Sequence, residues 1–392
     1  MDTIIQQGEL LTIQQGDLLF AVGRALGSVP QKSTQPLLAC VLLEADQGGL
    51  RVTGTDLDVT TSVFVPCSVQ RPERLAVGAR HFHEVIRKMP RGPVTLSLAA
   101  GGQCELRYGD GKGWSRFPVM RADDFPRVPE LKGETRIGIE GDALARLVER
   151  SAYATSDEPA RPQLNGVLVQ GTDKQVTFVA TDGHRLARAA RKGAYAGLTR
   201  EGVIVPARVL AAVAKFASEA TSPVELRIAE GRNHMGFATQ VGEYQVQVFA
   251  RLIEGQYPNY EQVIPKDNPR ELGASRTDLV EAVDIVASHA DSNTQQIRFS
   301  LRGGKFTVSS ATPDFGAGEQ NVEAEYQGDD MEIGYNARYL LQILRNIPTE
   351  RIVFRLKTAL SAGVVEPVGA LPQADEDLLC LIMPLRLPDA VG

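Results

Sequence analysis

Three neighbouring residues near the middle of the chain, Asp182, His184 and Arg185, are of types that carry out acid–base chemistry. A histidine beside a carboxylate is a common catalytic pairing. However, the string TDGHR is also typical of a turn in which the aspartate accepts hydrogen bonds from its own backbone and Gly183 takes a positive φ. The sequence has no serine elbow, P-loop or GxGxxG motif beside it. We therefore predict a structural turn and a protein that is not an enzyme.

The cysteines are the other candidates for chemistry. Cys40, Cys67, Cys104 and Cys380 are far apart, and no two of them form a CxxC pair. This spacing favours neither a zinc site nor a disulfide framework. We expect four buried, reduced thiols, no bound metal and no cofactor.

Length and charge limit the class of protein. The chain has 392 residues, of which 43% are hydrophobic, so we expect two or three globular domains. No apolar run approaches the roughly 20 residues that span a bilayer, and the N-terminus does not look like a secretion signal. We therefore expect a cytoplasmic protein without a membrane partner. The net charge of −6 argues against a tight grip on DNA, but not against a protein that encloses DNA with a thin basic lining.

Internal repetition organises the rest of the sequence. Each third of the chain opens with residues that we predict to cap an amphipathic helix: Asp17 before LLFAVGRAL, Asp142 before ALARLVERSAYA, and Thr277 with Asp278 before LVEAVDIVASHA. A strand and a polar turn follow, at residues 52–60, 178–187 and 306–316. A strand-to-helix unit then contains an Ala-Arg pair that recurs at Arg80, Arg208 and Arg338, a period of roughly 130 residues.

Short runs rich in Val, Leu, Ile and Thr lie between these landmarks and read as antiparallel strands. The predicted fold class is α+β, with three tandem duplicated domains at residues 1–131, 132–266 and 267–392, each with two helices packed on an antiparallel sheet. Like domains that join head to tail either close into a ring or continue as a filament. We favour a ring of three domains from each of two chains.

Several strings, in order across nearly all of the chain, closely resemble the bacterial β sliding clamps, the β subunits of DNA polymerase III. They are LNG at 164–166, ATDGHRLA at 180–187, YPNY at 257–260 and MPLRL at 383–387, together with GTDLDV at 54–59 and MEIGYN at 331–336. The resemblance implies a head-to-tail homodimeric ring with the DNA clamp fold. Such a ring encloses double-stranded DNA without reading its sequence and tethers the polymerase for processive synthesis.

The resemblance also implies that basic residues on the helices face the enclosed DNA. Lys32, Arg80 and Arg208 match positions where similar clamps place DNA-contacting residues. Other basic residues on or at the ends of the predicted helices are Arg24, Arg87, Lys88, Arg146, Arg150, Lys215, Arg338 and Arg345. For each of them the alternative is an ordinary solvated helix face.

A second implied surface is a pocket that binds short linear motifs of partner proteins. The expected partners are the DNA polymerase III α subunit, the clamp loader complex, and other DNA polymerases and repair proteins. The positions that match the family's pocket are Leu164, Thr181, Gly183, His184, Arg185, Leu186, Pro258, Val263, Asn336, Tyr339, Leu360, Leu381, Ile382, Met383, Pro384, Leu385 and Arg386. Apolar members suit a pocket floor, and His184, Arg185 and Asn336 suit contacts with a peptide backbone.

Some positions depart from the family pattern. Gln262 stands where a basic pocket residue is familiar, Thr294 where an aromatic residue is, and Pro162 and Gln163 where a tyrosine pair is often found. The chain also continues past Leu387 with PDAVG, which we expect either to turn away from the pocket or to cover it partly. The alternative function is an accessory clamp paralogue, specialised for repair or for a mobile replicon.

Overall fold

The computed structural model describes residues 8–46, 48–128, 135–195, 197–199 and 201–387. The chain divides into two compact units, called here the first unit (Met1–Ala145 and Arg208–Leu252) and the second unit (Arg146–Ala207 and Ile253–Gly392). The middle third of the chain contributes to both units. The three predicted domain boundaries therefore stay predictions, because these units divide the chain differently.

Each third contains two α-helices, as predicted from the repeat. They are α1 (Gln15–Leu26), α2 (Ala79–Lys88), α3 (Gly141–Ala152), α4 (Ala207–Ala217), α5 (Arg276–Ala287) and α6 (Ala337–Asn346). Arg80, Arg208 and Arg338 each occupy the second position of a helix, so the Ala-Arg pairs mark helix starts. The repeated strand-to-helix unit is thus confirmed.

The predicted helix caps were wrong by a few residues. Asp17 lies in the first turn of α1, and its N-cap residue, Gln14, makes no side-chain capping hydrogen bond. In α5 the cap is Ser275, which accepts a hydrogen bond from the Asp278 N–H. Strand β1 (Gly8–Gln14) runs directly into α1, which begins two residues before Asp17. The acidic residues instead lie where the positive end of the helix dipole stabilises negative charge.

The rest of the described structure consists mainly of β-strands. In the first third they are β1, β2 (Cys40–Asp46), β3 (Gly49–Thr55), β4 (Val59–Pro66), β5 (Ser68–Val69), β6 (Glu73–Gly78), β7 (Pro93–Ala99), β8 (Gln103–Tyr108) and β9 (Gly113–Met120). In the middle third they are β10 (Thr135–Ile139), β11 (Gly166–Gly171), β12 (Gln175–Thr181), β13 (Arg185–Lys192), β14 (Val203–Pro206), β15 (Val224–Ile228), β16 (His234–Val241) and β17 (Tyr244–Arg251). In the last third they are β18 (Arg270–Ser275), β19 (Gln296–Arg302), β20 (Lys305–Thr312), β21 (Gly316–Val322), β22 (Ala324–Gln327), β23 (Met331–Asn336), β24 (Arg351–Leu356), β25 (Gly363–Pro367) and β26 (Glu376–Ile382).

The first unit is built on a 13-stranded antiparallel sheet in the order β10-β15-β16-β17-β4-β3-β2-β6-β9-β8-β7-β1-β5. Strand β17 of the middle third pairs with β4 of the first third, with Val248 opposite Thr61. Helix α1 packs on β3 and β4 and against α2. Leu18 and Val22 of α1, four residues apart on one helix face, are both fully buried in this core.

The second unit contains a nine-stranded sheet, β14-β11-β12-β13-β26-β25-β24-β18-β22, and a four-stranded sheet, β21-β20-β19-β23. Strand β13 of the middle third pairs with β26 of the last third, with Leu186 opposite Leu381. Helix α5 packs on β20 and β21. Phe299 lies edge-on to Tyr335, with ring centroids 5.3 Å apart. The α+β class with helix pairs on antiparallel sheets is confirmed.

The polar turn predicted in each third is a hairpin turn. In the middle third, Asp182 Oδ1 accepts the N–H groups of His184 and Arg185 at 2.9 and 3.0 Å, and Gly183 has φ +90°. In the first third, Asp56 Oδ1 accepts the N–H groups of Asp58 and Val59 at 3.1 and 2.7 Å. The structural interpretation of TDGHR is therefore confirmed, and the same turn is used twice.

The cysteines and the single tryptophan differ in burial. Cys40, Cys104 and Cys380 are buried free thiols, as expected, whereas Cys67 is only half-buried. Partial burial raises the pKa of Cys67 to about 11. Trp114 is 57% exposed on β9 and does not belong to the core. No helix in the described residues is long and apolar enough to span a membrane.

Candidate functional site

All 17 residues of the predicted pocket fall in the second unit, and three of them belong to one apolar cluster, called here the apolar floor. Its buried members are Leu164, Leu168, Val179, Leu186, Ile204, Tyr257 and Leu381, and Ile253, Tyr260, Ala362 and Leu379 pack against them. The alternation of the strands explains the set, since Leu168, Val179 and Leu186 point to one face of β11, β12 and β13. Sequence reasoning missed Leu168, Val179 and Ile204.

Three large apolar side chains of the predicted pocket are exposed close to the apolar floor. Val263, Leu360 and Met383 are 57%, 63% and 40% exposed. Each lies within three residues of a member of the floor in the chain, and Val263 donates its N–H to Tyr260 O at 3.2 Å. Exposed apolar groups beside a buried apolar cluster are typical of a surface that receives apolar side chains of a partner. We call these three residues the apolar rim.

Arg185 is buried, and its guanidinium binds within the second unit. It donates to Asp182 Oδ2 at 3.1 Å, to the main-chain oxygen of Tyr153 at 2.6 Å, and to the amide oxygen of Gln342. The guanidinium also lies 4.6 Å from the ring centroid of Tyr339. Arg185 therefore acts as a support that holds the turn and α6 together. Tyr153 and Gln342 gave no signal in the sequence.

His184 is exposed and stacks on Tyr339, with ring centroids 6.0 Å apart and an angle of 18° between the rings. Its main-chain oxygen accepts the N–H of Met383 at 2.8 Å, which ties the hairpin turn to the start of the last segment. The nearby Asp182 carboxylate is engaged by backbone N–H groups and by Arg185, so His184 and Asp182 do not form an acid–base pair.

The segment at residues 383–387 runs beside β23 and is joined to it by an isolated antiparallel bridge between Leu385 and Gly334. Leu385 donates its N–H to Gly334 O at 2.8 Å, and a Cβ on Gly334 would lie 2.6 Å from Leu385 O. Only glycine therefore lets the segment approach so closely. Asn336 caps α6 by accepting the Tyr339 N–H, and its amide nitrogen donates to Thr294 O, so both of its polar ends have partners.

The remaining pocket positions fall into three classes of exposure. Ile382, like Leu164, Leu186, Leu381 and Arg185, is buried; Thr181, Asn336, Tyr339, Pro384 and Leu385 are half-buried; and Gly183, His184, Pro258 and Arg386 are exposed. The predicted set thus combines a buried floor, a half-buried wall and an exposed rim. Their assignment as peptide contacts stays a prediction.

A groove of about 450 Å³ lies beside the last segment. It is lined by residues of β19, β20 and β21 together with Asp291, Thr294 and Leu387. Thr294, where an aromatic side chain is familiar, donates its N–H to Asp291, and this bond holds the pKa of the Asp291 carboxyl below its usual range. The small threonine leaves this groove open.

The three predicted DNA-contact residues lie in the first unit and differ in their partners. Lys32 is exposed and forms no ion pair with the described residues. Arg80 donates to the main-chain oxygen of Pro30 at 3.3 Å, within the loop that carries Lys32. The guanidinium of Arg208, in contrast, binds two carboxylates, those of Asp56 and Asp58. Sequence reasoning missed this pairing.

The other basic helix residues also divide by partner. Carboxylates bind Arg24 (Glu219), Lys88 (Glu84), Arg146 (Glu376), Arg150 (Glu376) and Arg345 (Asp284). Among the described residues, Arg87, Lys215 and Arg338 form no ion pair and remain available as surface cations. Arg150 is buried on Glu376, so the expectation that it belongs to a basic surface is wrong.

Two further expectations concern metals and the end of the chain. The described residues contain no group of three or more His, Cys, Asp or Glu side chains placed to hold a metal ion. Residues 388–392, for which we expected either a turn away from the pocket or a partial cover, lie outside the described residues.

Family comparisons match the three thirds of the chain in order. The N-terminal, central and C-terminal domains of the DNA polymerase III beta subunit match residues 10–129, 138–259 and 261–386. The beta sliding clamps of Caulobacter vibrioides strain NA1000 and Pseudomonas aeruginosa are each 30% identical to the chain. The alignments cover 96% of this chain and 100% and 99% of those proteins.

Solved structures agree with the sequence comparison. The Caulobacter crescentus beta sliding clamp superposes with a TM-score of 0.88 at 29% identity, covering 97% of this chain and 99% of that one. The Pseudomonas aeruginosa sliding clamp, solved bound to griselimycin, gives a TM-score of 0.86 at 28% identity, covering 97% and 100%. Paired helices on antiparallel sheets, repeated three times, define the fold of a sliding clamp. The chain belongs to the bacterial DNA polymerase III β subunit family, a family of non-catalytic sliding clamps.

Proposed function

We propose that two copies of this chain close into a ring around double-stranded DNA and tether the replicative DNA polymerase for processive synthesis. The observation that carries the proposal is the match to β sliding clamps in sequence and fold over almost the whole chain. Topological enclosure also explains how a protein with a net charge of −6 works on DNA, since retention does not require a tight grip on phosphates. The protein would act in the cytoplasm, on the nucleoid.

DNA contact would be loose and limited to a few cations. Lys32 is exposed and has no ion-pair partner in the described part of the chain, and Arg80 supports the loop that carries it. Such contacts neutralise phosphates without reading bases, which suits a protein that must slide.

Two strand edges support the head-to-tail dimer. In β9, residues 113–118 pair with β8 along one edge. Along the other edge, β6 pairs only with Val119 and Met120, so the described structure leaves that edge of residues 113–118 without a strand partner. In the described structure β21 is likewise an outer strand of its sheet. Unpaired strand edges are templates for pairing with another chain. We propose that β9 of one copy pairs with β21 of the other, which closes the ring when it occurs twice.

Side chains at these two edges fit such an interface. Trp114 is exposed on β9, with the Arg116 guanidinium 4.7 Å from its ring, and Phe315 beside β21 is 52% exposed. Aromatic and arginine side chains often dominate interface energies. Trp114→Glu should therefore shift the protein towards monomer in sedimentation velocity. Leu57→Glu, which changes an equally exposed apolar residue on a turn, should leave the dimer intact.

The apolar floor and rim would bind short linear motifs of the polymerase α subunit, the clamp loader, and other polymerases and repair proteins. A floor of leucines with exposed Leu360 and Met383 suits a motif with one or two apolar side chains. Affinity should be micromolar in order, because a flexible peptide loses conformational entropy on binding.

The direct test is primer extension on a primed circular template with a bacterial replicative polymerase, clamp loader and ATP. Adding this protein should lengthen the products made in one binding event. Products that stay equally short at every protein concentration, with a known clamp active in parallel, would contradict the proposal for that polymerase.

A further inference from the structure

Arg208 is the only one of the three proposed DNA contacts whose charge, among the described residues, is matched by carboxylates. Its guanidinium binds Asp56, and Nη2 lies 3.3 Å from Asp58 Oδ2. The side chains of Arg208 and Asp58 are 54% and 60% exposed, whereas that of Asp56 is 17% exposed. The guanidinium and the Asp58 carboxylate are therefore both open to solvent, so a phosphate that approaches Arg208 would meet Asp58 there.

We propose that the turn of Asp56, Leu57 and Asp58 weakens the clamp's grip on DNA by competing with phosphate for Arg208. This inference rests on the proposed function. A guanidinium binds carboxylate and phosphate with the same pair of N–H donors, so a phosphate must displace at least Asp58. The displaced carboxylate then remains close to the phosphate and repels it.

The turn holds Asp56 in place for this role. Its Oδ1 accepts two backbone N–H groups, which leaves Oδ2 directed at Arg208. The corresponding turn of the middle third has the same design, because Asp182 Oδ1 accepts backbone N–H groups and Oδ2 binds Arg185. In that turn His184 stands where the first third has Asp58. The second carboxylate is thus an addition, and among the described residues its side chain contacts Arg208 alone.

The backbone at this turn is strained in a way that the corresponding turn avoids. Leu57 has φ +80°, a conformation that leucine rarely adopts, whereas the matching position is Gly183. The backbone N–H groups bonded to Asp56 Oδ1 hold Leu57 in this conformation. The turn in this shape places the Asp58 carboxylate beside Arg208.

The competing interpretation is that the ion pairs only fasten α4 to the turn within the first unit. Charge removal separates the two ideas, because Asp58→Asn keeps the size of the side chain and leaves the Asp56 contact intact. If the carboxylate competes with phosphate, the variant gains DNA affinity through Arg208. If it is only a fastener, the variant loses stability without gaining affinity.

The experiment is a fluorescence anisotropy titration with a short open-ended duplex at low salt. It compares the unmodified protein with Asp58→Asn, Arg208→Ala and the double variant. We expect Asp58→Asn to bind about three- to tenfold more tightly, Arg208→Ala to bind more weakly, and the double variant to match Arg208→Ala. Asp173→Asn, which removes a carboxylate from the exposed β11–β12 turn, is the matched charge control and should change little.

An Asp58→Asn affinity equal to that of the unmodified protein, or the same gain in the Arg208→Ala background, would overturn the inference. Asp56→Asn is the second variant, since its amide oxygen can still accept the backbone N–H groups of the turn, and it should also bind more tightly. Absence of salt-dependent DNA binding in every variant would also overturn the inference, whereas the proposed function is contradicted by failure of the primer-extension test. DNA affinity that is unchanged in both the Asp56→Asn and the Asp58→Asn variants would contradict the inference and leave the proposed function untouched.

Discussion

Arg150 and Glu376 form an ion pair in which both side chains are buried, 9% and 1% exposed. Arg146 also donates to Glu376, at 2.7 Å. Glu376 begins β26, which pairs with β13 in the nine-stranded sheet. One buried carboxylate therefore binds two arginines of α3 to the strand pair where the middle and last thirds meet.

Replacing Glu376 tests this arrangement. Glu376→Gln leaves two guanidinium groups beside a neutral amide, one of them buried, so we expect a loss of about 3 kcal/mol in the free energy of unfolding of the second unit. Urea unfolding followed by circular dichroism measures the change. The control is Asp377→Asn at the next residue, whose side chain is 59% exposed and binds Arg188, and which should cost less than about 1 kcal/mol. Equal losses in the two variants would contradict the account.

The apolar rim should contribute to peptide affinity and contribute little to the free energy of unfolding. Leu360→Ala and Met383→Ala remove exposed side chains, so the unfolding transition should move little, whereas affinity for a labelled clamp-binding peptide of the polymerase should fall about tenfold. Fluorescence anisotropy measures the affinity. Val368→Ala, which truncates an apolar side chain that is 43% exposed outside the predicted pocket, is the control. A rim variant that binds like Val368→Ala would remove that residue from the site.

His184 and Arg185 are neighbours with different roles. Because His184 is exposed, His184→Ala should weaken peptide binding several-fold and leave stability within about 0.5 kcal/mol. Because Arg185 is buried with three hydrogen-bonding partners, Arg185→Ala should lower the free energy of unfolding by about 3 kcal/mol. Thermal unfolding and peptide titration of both variants distinguish the roles. A stable Arg185→Ala protein with lost peptide binding would make Arg185 a direct peptide contact instead.

Lys32 should contribute to DNA binding through charge alone. Lys32→Ala should weaken binding to an open-ended duplex equally for different sequences and lower the salt slope of affinity by about 1. Lys174→Ala, at an exposed hairpin turn, is the control and should leave the slope unchanged. An effect of Lys32→Ala that depends on DNA sequence would contradict contact with phosphates alone.

The fold could be predicted well from the sequence because its helix starts and turns depend on short sequence patterns that recur along the chain. Helix starts at Arg80, Arg208 and Arg338 and the turns at Asp56 and Asp182 depend on neighbours in the chain, and they were found where expected. The floor residues Leu164, Leu186 and Leu381 came from the family resemblance, and the structure brings them into one cluster. Their role in peptide binding stays a prediction.

Partners that are distant in the chain could not be predicted. The pairing of Arg208 with Asp56 joins residues more than 150 positions apart, and Arg150 reaches Glu376 across a still longer separation. A basic residue on an amphipathic helix looks the same in sequence whether it is solvated, neutralised or buried. The exposure of Trp114 could not be predicted from the sequence either, because an aromatic residue in a strand usually indicates a core position.

Topological enclosure of DNA is the central claim, and one measurement addresses it directly. The protein is loaded onto nicked circular DNA with a bacterial clamp loader and ATP, and retention at high salt is compared before and after one cut linearises the circle. High salt screens phosphate contacts, so a closed ring should stay on the intact circle and leave the linear DNA. Dissociation from the intact circle, or equal retention after linearisation, would contradict the account.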